Sequence, residues 1–213
     1  MPEPEKLIII GAATPTIIRV VDDINRIAAR NIQIVGFVDN AFATSKSVAF
    51  GIEVIGGFDA VKKFDRDEIV LINTIVGSIQ KRVETTRYFL NLGYQFTNIV
   101  HPGVNTKYVT LGVGNLVYEN ALIQPFVRIG NHCVISSNSG IAHETTIGDF
   151  CFIGGASYIC GKVEIEDEVF IATGAKVLPR LKIGRSAEIG AGTIVHKPIR
   201  ERQVVIGALG KAR

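Results

Sequence analysis

The sequence lacks long apolar runs, clusters of basic residues and an even number of cysteines. No apolar run approaches twenty residues, so we predict no transmembrane helix. The formal net charge is only +3 and no basic run stands out, so neither nucleic acid nor an acidic membrane surface is indicated as a partner. The first residues, MPEPEKLIIIG, place acids and prolines before a short apolar run, which predicts a strand rather than a signal peptide. We therefore expect a cytoplasmic protein.

A period of six residues dominates the second half of the chain. It fits neither an amphipathic helix nor an alternating strand. It is typical of a parallel β-helix, in which each hexapeptide forms one short strand and one corner, and three hexapeptides complete a triangular coil. A branched aliphatic residue occupies every sixth position without an insertion, at Leu111, Val117, Ile123, Ile129, Ile135, Ile141, Ile147, Ile153, Ile159, Ile165, Ile171, Val177, Ile183, Ile189 and Val195.

We therefore predict an all-β left-handed parallel β-helix of five coils within residues 103–213, with the segment after Arg200 as a C-terminal cap. The aliphatic residues fill the centre of each coil. Glycine follows six of them, and we expect these glycines to permit unusual backbone angles near the corners. They are Gly112, Gly130, Gly148, Gly154, Gly184 and Gly190.

The three cysteines do not suit a disulfide framework, because their number is odd. Cys133 and Cys151 are 18 residues apart, which stacks one above the other in successive coils. This spacing allows a bridge, although two buried thiols fit a reducing compartment better. Cys160 occupies an outward position with no apparent partner.

Residues 1–102 alternate between strand and helix patterns, which predicts an α/β domain with a small Rossmann-like parallel sheet. Continuous apolar runs mark the strands, and a helical period marks the helices. The predicted strands are residues 6–10, 32–38, 53–55, 68–73 and 96–100, and the predicted helices are residues 16–30, 58–64 and 78–92. The boundary to the repeat falls near Pro102.

The strand ends of this sheet carry the candidate substrate-binding residues. Open parallel sheets bind ligands beyond the carboxyl ends of their strands. Here those ends carry Gly11, Ala12, Ala13, Asp39, Asn40 and Asn73. We expect the ligand to donate a hydrogen bond to Asp39.

His143 and Glu144 are the strongest candidates for chemistry. They follow Ile141 in the phrase SNSGIAHETTIGDF, which places them at a corner of the coil. Residues 18 apart share an edge, so Gly161 lies beside His143 and should leave an open space there. The next edge carries only small residues, beside which a narrow ligand fits: Ser137, Gly155, Thr173 and Ala191.

Spacing alone is equally consistent with a surface histidine packed against a neighbour. On that interpretation Glu144 pairs with Lys162 on its own edge, and such a surface pair contributes little to stability.

The repeat and the I-x-H-E-x-x-I-G-D phrase, preceded by a small α/β domain, resemble hexapeptide-repeat sugar acetyltransferases of the sialic-acid O-acetyltransferase and bacillosamine-pathway N-acetyltransferase type. The resemblance covers nearly the whole chain. It implies that His143 is the general base and that Glu144 assists it. It also implies acetyl-coenzyme A as acyl donor, without a metal, in a groove between two subunits of a homotrimer. The contact residues would then be Gly155, Gly161, Thr173 and Ala191.

The same resemblance implies a nucleotide-linked amino sugar as acceptor, on the N-terminal domain near the Gly11 loop and Asp39-Asn40, and a role in lipopolysaccharide or capsule biosynthesis. Two features depart from the family. The loop Gly11-Ala12-Ala13-Thr14-Pro15 lacks a second glycine and a histidine, and Pro15 has no N–H for a phosphate. Phe152 stands where some members carry a further histidine on the coenzyme side.

Several functions remain open at this point. The first is N-acetylation, in which His143 takes a proton from an amine that attacks the thioester directly. O-acetylation of a sugar is an alternative. A metal enzyme of the carbonic-anhydrase kind needs three converging imidazoles, whereas His132 and His143 lie on different edges. A non-catalytic, trimeric sugar-binding or assembly protein with a decayed site is favoured by the altered loop and Phe152, and opposed by the intact His143-Glu144 pair.

Overall fold

The computed structural model describes residues 3–28, 30–42 and 47–207. The chain divides into two compact units, Met1–Pro102 and Gly103–Arg213. In the described residues, neither α-helix has the length and apolarity that a membrane crossing requires.

The first unit is built on a mainly parallel sheet. Its strands are β1 (Glu5–Ile10), β2 (Ile32–Val38), β3 (Ser47–Ala49), β4 (Ile52–Gly56), β5 (Ile69–Asn73), β6 (Gln95–Phe96) and β7 (Ile99–Val100). Its helices are α1 (Thr16–Ile27) and α2 (Ile79–Asn91), with short 3-10 helices at Asn40–Phe42 and Phe58–Lys63. The first six strands form one sheet in the order β3-β4-β2-β1-β5-β6.

Strand β1 lies at the centre of this sheet and pairs in parallel with both β2 and β5. Its residues Leu7–Ile10 are fully buried, as expected for a strand covered on both faces. Helix α1 packs through Ile17, Val20, Val21 and Ile24, which are also buried. The central strands and helices therefore form where the apolar patterns predicted them.

The edge of the sheet differs from the prediction. The chain forms two strands around residues 47–56, because β3 pairs antiparallel with β4. Only β4 was predicted, as a three-residue strand. The predicted last strand, residues 96–100, divides into β6 and β7.

The second unit consists of two-residue strands, fifteen of which end on the repeated aliphatic residues. They are β8 (Thr110–Leu111), β9 (Leu116–Val117), β10 (Leu122–Ile123), β11 (Arg128–Ile129), β12 (Val134–Ile135), β13 (Gly140–Ile141), β14 (Thr146–Ile147), β15 (Phe152–Ile153), β16 (Tyr158–Ile159), β17 (Glu164–Ile165), β18 (Phe170–Ile171), β19 (Lys176–Val177), β20 (Lys182–Ile183), β21 (Glu188–Ile189) and β22 (Ile194–Val195). A further strand, β23 (Val204–Val205), follows in the C-terminal segment.

Three parallel sheets form the walls of this prism. One contains β10-β13-β16-β19-β22, the second β20-β17-β14-β11-β8, and the third β23-β21-β18-β15-β12-β9. The fifteen repeat strands pair with strands 18 residues away, as in Ile129↔Ile147 and Ile147↔Ile165, whereas β21 and β23 pair at a distance of 16 residues, as in Glu188↔Val204. The repeated aliphatics from Ile123 onward are almost completely buried. The prediction of a left-handed parallel β-helix after an α/β region is confirmed.

The expected reason for the six glycines is wrong. None of them has a positive φ. The residue with a left-handed backbone conformation lies three positions after a repeated aliphatic residue, two positions after the place where these glycines stand. It is mostly not glycine, as at Asn120, Asn138 and Glu144. Glycine is instead needed for space, since a Cβ on Gly154 would lie 2.6 Å from the backbone nitrogen of Thr173 in the next coil.

All three cysteines are free thiols, so Cys133 and Cys151 do not form the bridge that their spacing allowed. Cys133 and Cys151 are buried inside the prism, where their Sγ atoms donate to the carbonyl oxygens of Gly148 and Glu166 at 3.0 and 3.1 Å. Burial, followed by the neighbouring Cys133 thiol, raises the pKa of Cys151 well above its usual range. Cys160 is partly exposed.

Candidate active site

The corner between β13 and β14 carries His143 and Glu144. The backbone here is held from both adjacent coils: the His143 N–H donates to Gln124 Oε1 at 3.0 Å, and the Lys162 N–H donates to the His143 carbonyl at 3.0 Å. Glu144 adopts a left-handed backbone conformation with φ of 59°. This breaks the strand-like alternation of neighbouring side chains and lets the Glu144 carboxylate turn back to the imidazole.

The two side chains form a hydrogen-bonded pair. His143 Nδ1 lies 3.0 Å from Glu144 Oε1, and the second carboxylate oxygen lies 3.5 Å from Lys162 Nζ. The hydrogen bond with His143 lowers the pKa of Glu144; burial opposes this, and the charge of Lys162 adds to it. An ionised Glu144 accepts a hydrogen bond from Nδ1–H, which leaves Nε2 as the nitrogen that can take a proton. About half of each side chain is exposed, so a substrate can reach the pair.

Gly161 lies beside His143, but the space next to it is not open. A Cβ atom on Gly161 would lie 2.8 Å from His143 Nε2 and 3.0 Å from Cε1. The imidazole itself therefore fills the space that we expected to be available to a ligand. Gly161 allows the histidine ring to lie against the adjacent coil.

The column of small residues lies at a different corner. Gly155, Thr173 and Ala191 follow the third sheet of the prism, whereas His143 and Gly161 follow the sheet of β10, β13, β16, β19 and β22. Backbone hydrogen bonds stack this corner, from the Gly174 N–H to the Gly155 carbonyl at 2.9 Å and from the Gly192 N–H to the Thr173 carbonyl at 3.0 Å. Within one chain, the structure thus places the column and His143 at opposite edges of the same wall.

The first unit contains a cavity of about 530 Å³ beyond the strand ends. Four of the six predicted substrate-binding residues line it: Gly11, Ala13, Asp39 and Asn40. Ala12 is buried and acts through its backbone, since its N–H donates to Asp39 Oδ2 at 3.0 Å. This bond ties the loop after β1 to the end of β2.

Asn73 does not line the cavity. Its side chain is buried and hydrogen-bonds to the Thr86 hydroxyl at 3.0 Å, to the Arg82 carbonyl at 3.2 Å and to the Ile75 N–H at 2.9 Å. Asn73 therefore shapes the loop from β5 to α2 from behind the cavity wall.

The residues of α2 that line the cavity were not predicted from the sequence. Lys81, Glu84 and Thr85 line the cavity from the first two turns of this helix, and Phe58 lines it from a 3-10 helix. The strand-end rule considers only the residues directly after each strand. The amphipathic pattern of α2 could have shown that its polar residues near the N-terminus reach the same edge of the sheet.

Metal ligation has no basis in the described residues. In the ranges 3–28, 30–42 and 47–207, no three His, Cys, Asp or Glu side chains are grouped so that they could hold a metal ion.

Comparison with known proteins finds one matching repeat model and several solved structures that align with nearly the whole chain. Residues 144–179 match the model of the hexapeptide repeat of succinyl-transferase. PerB from Caulobacter crescentus, solved in complex with CoA and GDP-perosamine, is 25% identical with a TM-score of 0.83, over 95% of this chain and 94% of that one. No match was found among the curated proteins.

The chain therefore carries hexapeptide repeats and has the fold of acetyltransferases of known structure. Two further structures, less similar in sequence, share the fold over nearly the whole chain. The acetyltransferase domain of PglB from Neisseria gonorrhoeae, in complex with acetyl coenzyme A, is 20% identical with a TM-score of 0.86, over 96% of this chain and 97% of that one. WeeI from Acinetobacter baumannii is 20% identical with a TM-score of 0.82, over 95% and 97% of the two chains.

Proposed function

We propose that this protein is an acyltransferase, which moves an acetyl group from acetyl-coenzyme A to the amino group of a nucleotide-linked amino sugar. The observation that carries the proposal is the contact of 3.0 Å between His143 Nδ1 and Glu144 Oε1, because it leaves Nε2 free to act as a base at an exposed corner. PerB, at 25% identity, was solved with CoA and GDP-perosamine, which supports the same donor and the same class of acceptor.

His143 Nε2 accepts the proton that the amine loses as its nitrogen bonds to the thioester carbonyl carbon. The carbon–sulfur bond then breaks, and the proton leaves with the thiol of the coenzyme. Glu144 stabilises the imidazolium that exists between these two transfers. A backbone N–H near the corner stabilises the negative oxygen that forms at the carbonyl. No nucleophilic side chain of the protein is needed.

We assign acceptor binding to residues 1–102 and acetyl transfer to residues 103–213. The cavity of the first unit supports the first assignment, since Asp39 can accept hydrogen bonds from ribose or base. The exposed corner of His143 supports the second.

We further propose a homotrimer with the coenzyme bound between subunits. The sheet of β10, β13, β16, β19 and β22, called the β13 wall below, carries exposed apolar side chains on or beside it: Leu122, Tyr158, Leu178 and Ile194. Such a face favours contact with another subunit. A neighbouring subunit would bring its small-residue column, Gly155, Thr173 and Ala191, towards the His143 corner and complete the groove.

The test is a thiol-release assay with acetyl-coenzyme A and matched pairs of acceptors. Each nucleotide sugar with a free amine is compared with the same sugar carrying a hydroxyl at that carbon. Release that requires the amine supports N-acetylation. Release with the hydroxyl sugars alone shows O-acetylation instead and overturns the choice of amine.

A non-catalytic sugar-binding trimer is the second candidate. Its support is Phe152, which stacks on Phe170 at 4.9 Å between ring centroids and so serves packing at a position where some relatives carry a histidine. This candidate predicts no thiol release with any acceptor, while nucleotide sugars still bind.

A further inference from the structure

The cavity of the first unit has an arrangement of charge that the strand-end rule did not reveal. Asp39 lines it from the end of β2, and Lys81 lines it from the first turn of α2. Of the lining residues that the structure describes, Lys81 is the one basic residue. The Glu84 carboxylate also lines the cavity, and its Oε1 accepts from Gln80 Nε2 at 2.9 Å, so the cavity contains two carboxylates and one ammonium group.

Asp39 is fixed in place by the backbone. Its Oδ2 accepts from the Ala12 N–H at 3.0 Å, and its Oδ1 accepts from the Ala41 N–H at 2.9 Å. A carboxylate oxygen has two lone pairs, so each oxygen can accept a further hydrogen bond from a ligand. Asp39 is therefore suited to a hydroxyl or an N–H donor.

Lys81 has no such fixed partner. Two other lysines of the unit form ion pairs, Lys62 with Asp59 at 2.6 Å and Lys6 with Glu68 at 2.9 Å. In the part of the chain that the structure describes, the Lys81 ammonium forms no ion pair or hydrogen bond. The Lys81 ammonium can therefore pair with an anion from outside the chain.

The position of Lys81 in its helix is unfavourable without such an anion. Ser78 caps α2 by accepting from the Lys81 N–H at 3.3 Å, which places Lys81 in the first turn. The helix dipole is positive at this end, and the turn contains no acidic residue to offset the lysine. A bound anion offsets the repulsion between the Lys81 ammonium and the positive end of the helix dipole.

The loop before α2 is open to a ligand. A Cβ atom on Gly77 would meet nothing within 4 Å, and Val76 and Gly77 both line the cavity. Within the described residues, the N–H groups of Val76 and Gly77 donate no hydrogen bond. They can add to the binding of an anion held by Lys81.

We propose that Lys81 binds the diphosphate of the acceptor, with the ribose directed towards Asp39. This rests on the proposed function, since it takes the acceptor to be a nucleotide-linked sugar. A diphosphate needs a cation and N–H donors. Because proline has no backbone N–H, Pro15 leaves the loop Gly11–Pro15 with one donor fewer. Lys81 supplies the charge from the other side of the cavity.

The experiment measures the binding of UDP, GDP, uridine, guanosine and inorganic pyrophosphate to the full chain by calorimetry. The variants are Lys81→Gln, Lys81→Arg and, as a control with the same loss of charge, Lys63→Gln, which changes an exposed lysine that does not line the cavity. We expect at least one nucleoside diphosphate to bind tighter than its nucleoside. Lys81→Gln should lose roughly 10- to 100-fold in diphosphate affinity, as for a charge-assisted hydrogen bond, and nothing in nucleoside affinity.

Lys81→Arg should keep most of the diphosphate affinity, Lys63→Gln should bind as the wild type does, and Lys81→Gln should melt at the same or a higher temperature. Equal diphosphate affinity in Lys81→Gln and the wild type overturns the role of Lys81 but leaves the proposed function intact. A wild type that binds no nucleoside diphosphate overturns the proposed acceptor class as well. Pyrophosphate that binds as tightly as UDP and GDP overturns the nucleotide as ligand.

Discussion

The imidazole of His143 occupies the space that a Cβ atom on Gly161 would take, 2.8 Å from Nε2. Gly161→Ala should therefore push the ring away from its position and lower turnover on the order of 10²-fold, because small displacements of a catalytic group are costly. The melting temperature should change little, since the ring is about half exposed and can move. Turnover with saturating acceptor and a thermal melt measure both effects.

The double variant His143→Ala/Gly161→Ala is the control for this prediction. If Gly161 acts only through the histidine, the double variant loses no more turnover than His143→Ala alone. A further loss in the double variant shows that Gly161 has its own contact with substrate or coenzyme.

The histidine and its carboxylate should contribute unequally to turnover. His143→Ala should lose about 10²- to 10⁴-fold, the usual contribution of a general base, while Glu144→Gln should lose less because the base itself remains. His196→Ala, at another exposed histidine, is the matched control and should keep full turnover. Rates are measured per folded protein. Folded His143→Ala with near-normal turnover contradicts the general-base role and favours a packed corner histidine.

Acid should weaken the prism through Asp167. Burial acts to raise the pKa of Asp167, but the hydrogen bond from the Asp149 N–H at 2.9 Å and the Arg185 guanidinium outweigh it, and the net pKa is lowered. The stability that Asp167 contributes is therefore present above its unfolded pKa, near 3.9, and is lost as the pH falls through the lower folded value.

Urea denaturation of the wild type and Asp167→Asn from pH 7 to pH 3 checks this. The variant should be less stable at pH 7, and the difference should shrink as the pH falls below about 4. Glu188→Gln, which changes an exposed strand residue, is the control for the removal of one carboxylate from the prism. A difference that stays constant down to pH 3 contradicts the assigned role of the ionised carboxylate.

The thiols should differ in reactivity. Cys133 and Cys151 are buried, so a reagent cannot reach their sulfur atoms, and burial also raises the pKa of Cys151. A thiol reagent at pH 7.5 should therefore modify one cysteine, Cys160, in the folded protein and three after denaturation. Mass spectrometry of the modified peptides identifies them. Rapid modification of Cys151 in the folded state contradicts the prediction.

Assembly should depend on the β13 wall. Light scattering should give a trimer at micromolar concentration, and Leu122→Arg or Ile194→Asp should reduce it to a monomer, because a charge would be buried in the contact. Both side chains are more than half exposed in the single chain, so the monomer should fold normally. Val204→Asp, on the neighbouring sheet, is the control. A wild-type monomer contradicts the proposed trimer.

The repeat alone was sufficient to predict the prism. Its aliphatic positions predicted the inward residue of every strand from Leu111 to Val195 and the pairing of residues 18 apart, as in Ile129↔Ile147. This works because the core of a β-helix is filled by one residue of each hexapeptide, so the period of the sequence is the period of the structure. The apolar runs of β1, β2 and β5 predicted the central sheet for a similar reason, since most residues of these strands towards their carboxyl ends are buried.

The tertiary structure decided which side chains of different elements lie next to each other. It placed the His143 ring against Gly161, hid Asn73 behind the cavity wall and brought Lys81 into the cavity. It also showed that the glycines are required by the next coil and that the left-handed residues lie elsewhere. Periodicity records whether a side chain points inward or outward, but the neighbours of an outward side chain depend on packing between coils and between helix and sheet. The space around a side chain is therefore decided only by residues that are distant in the sequence.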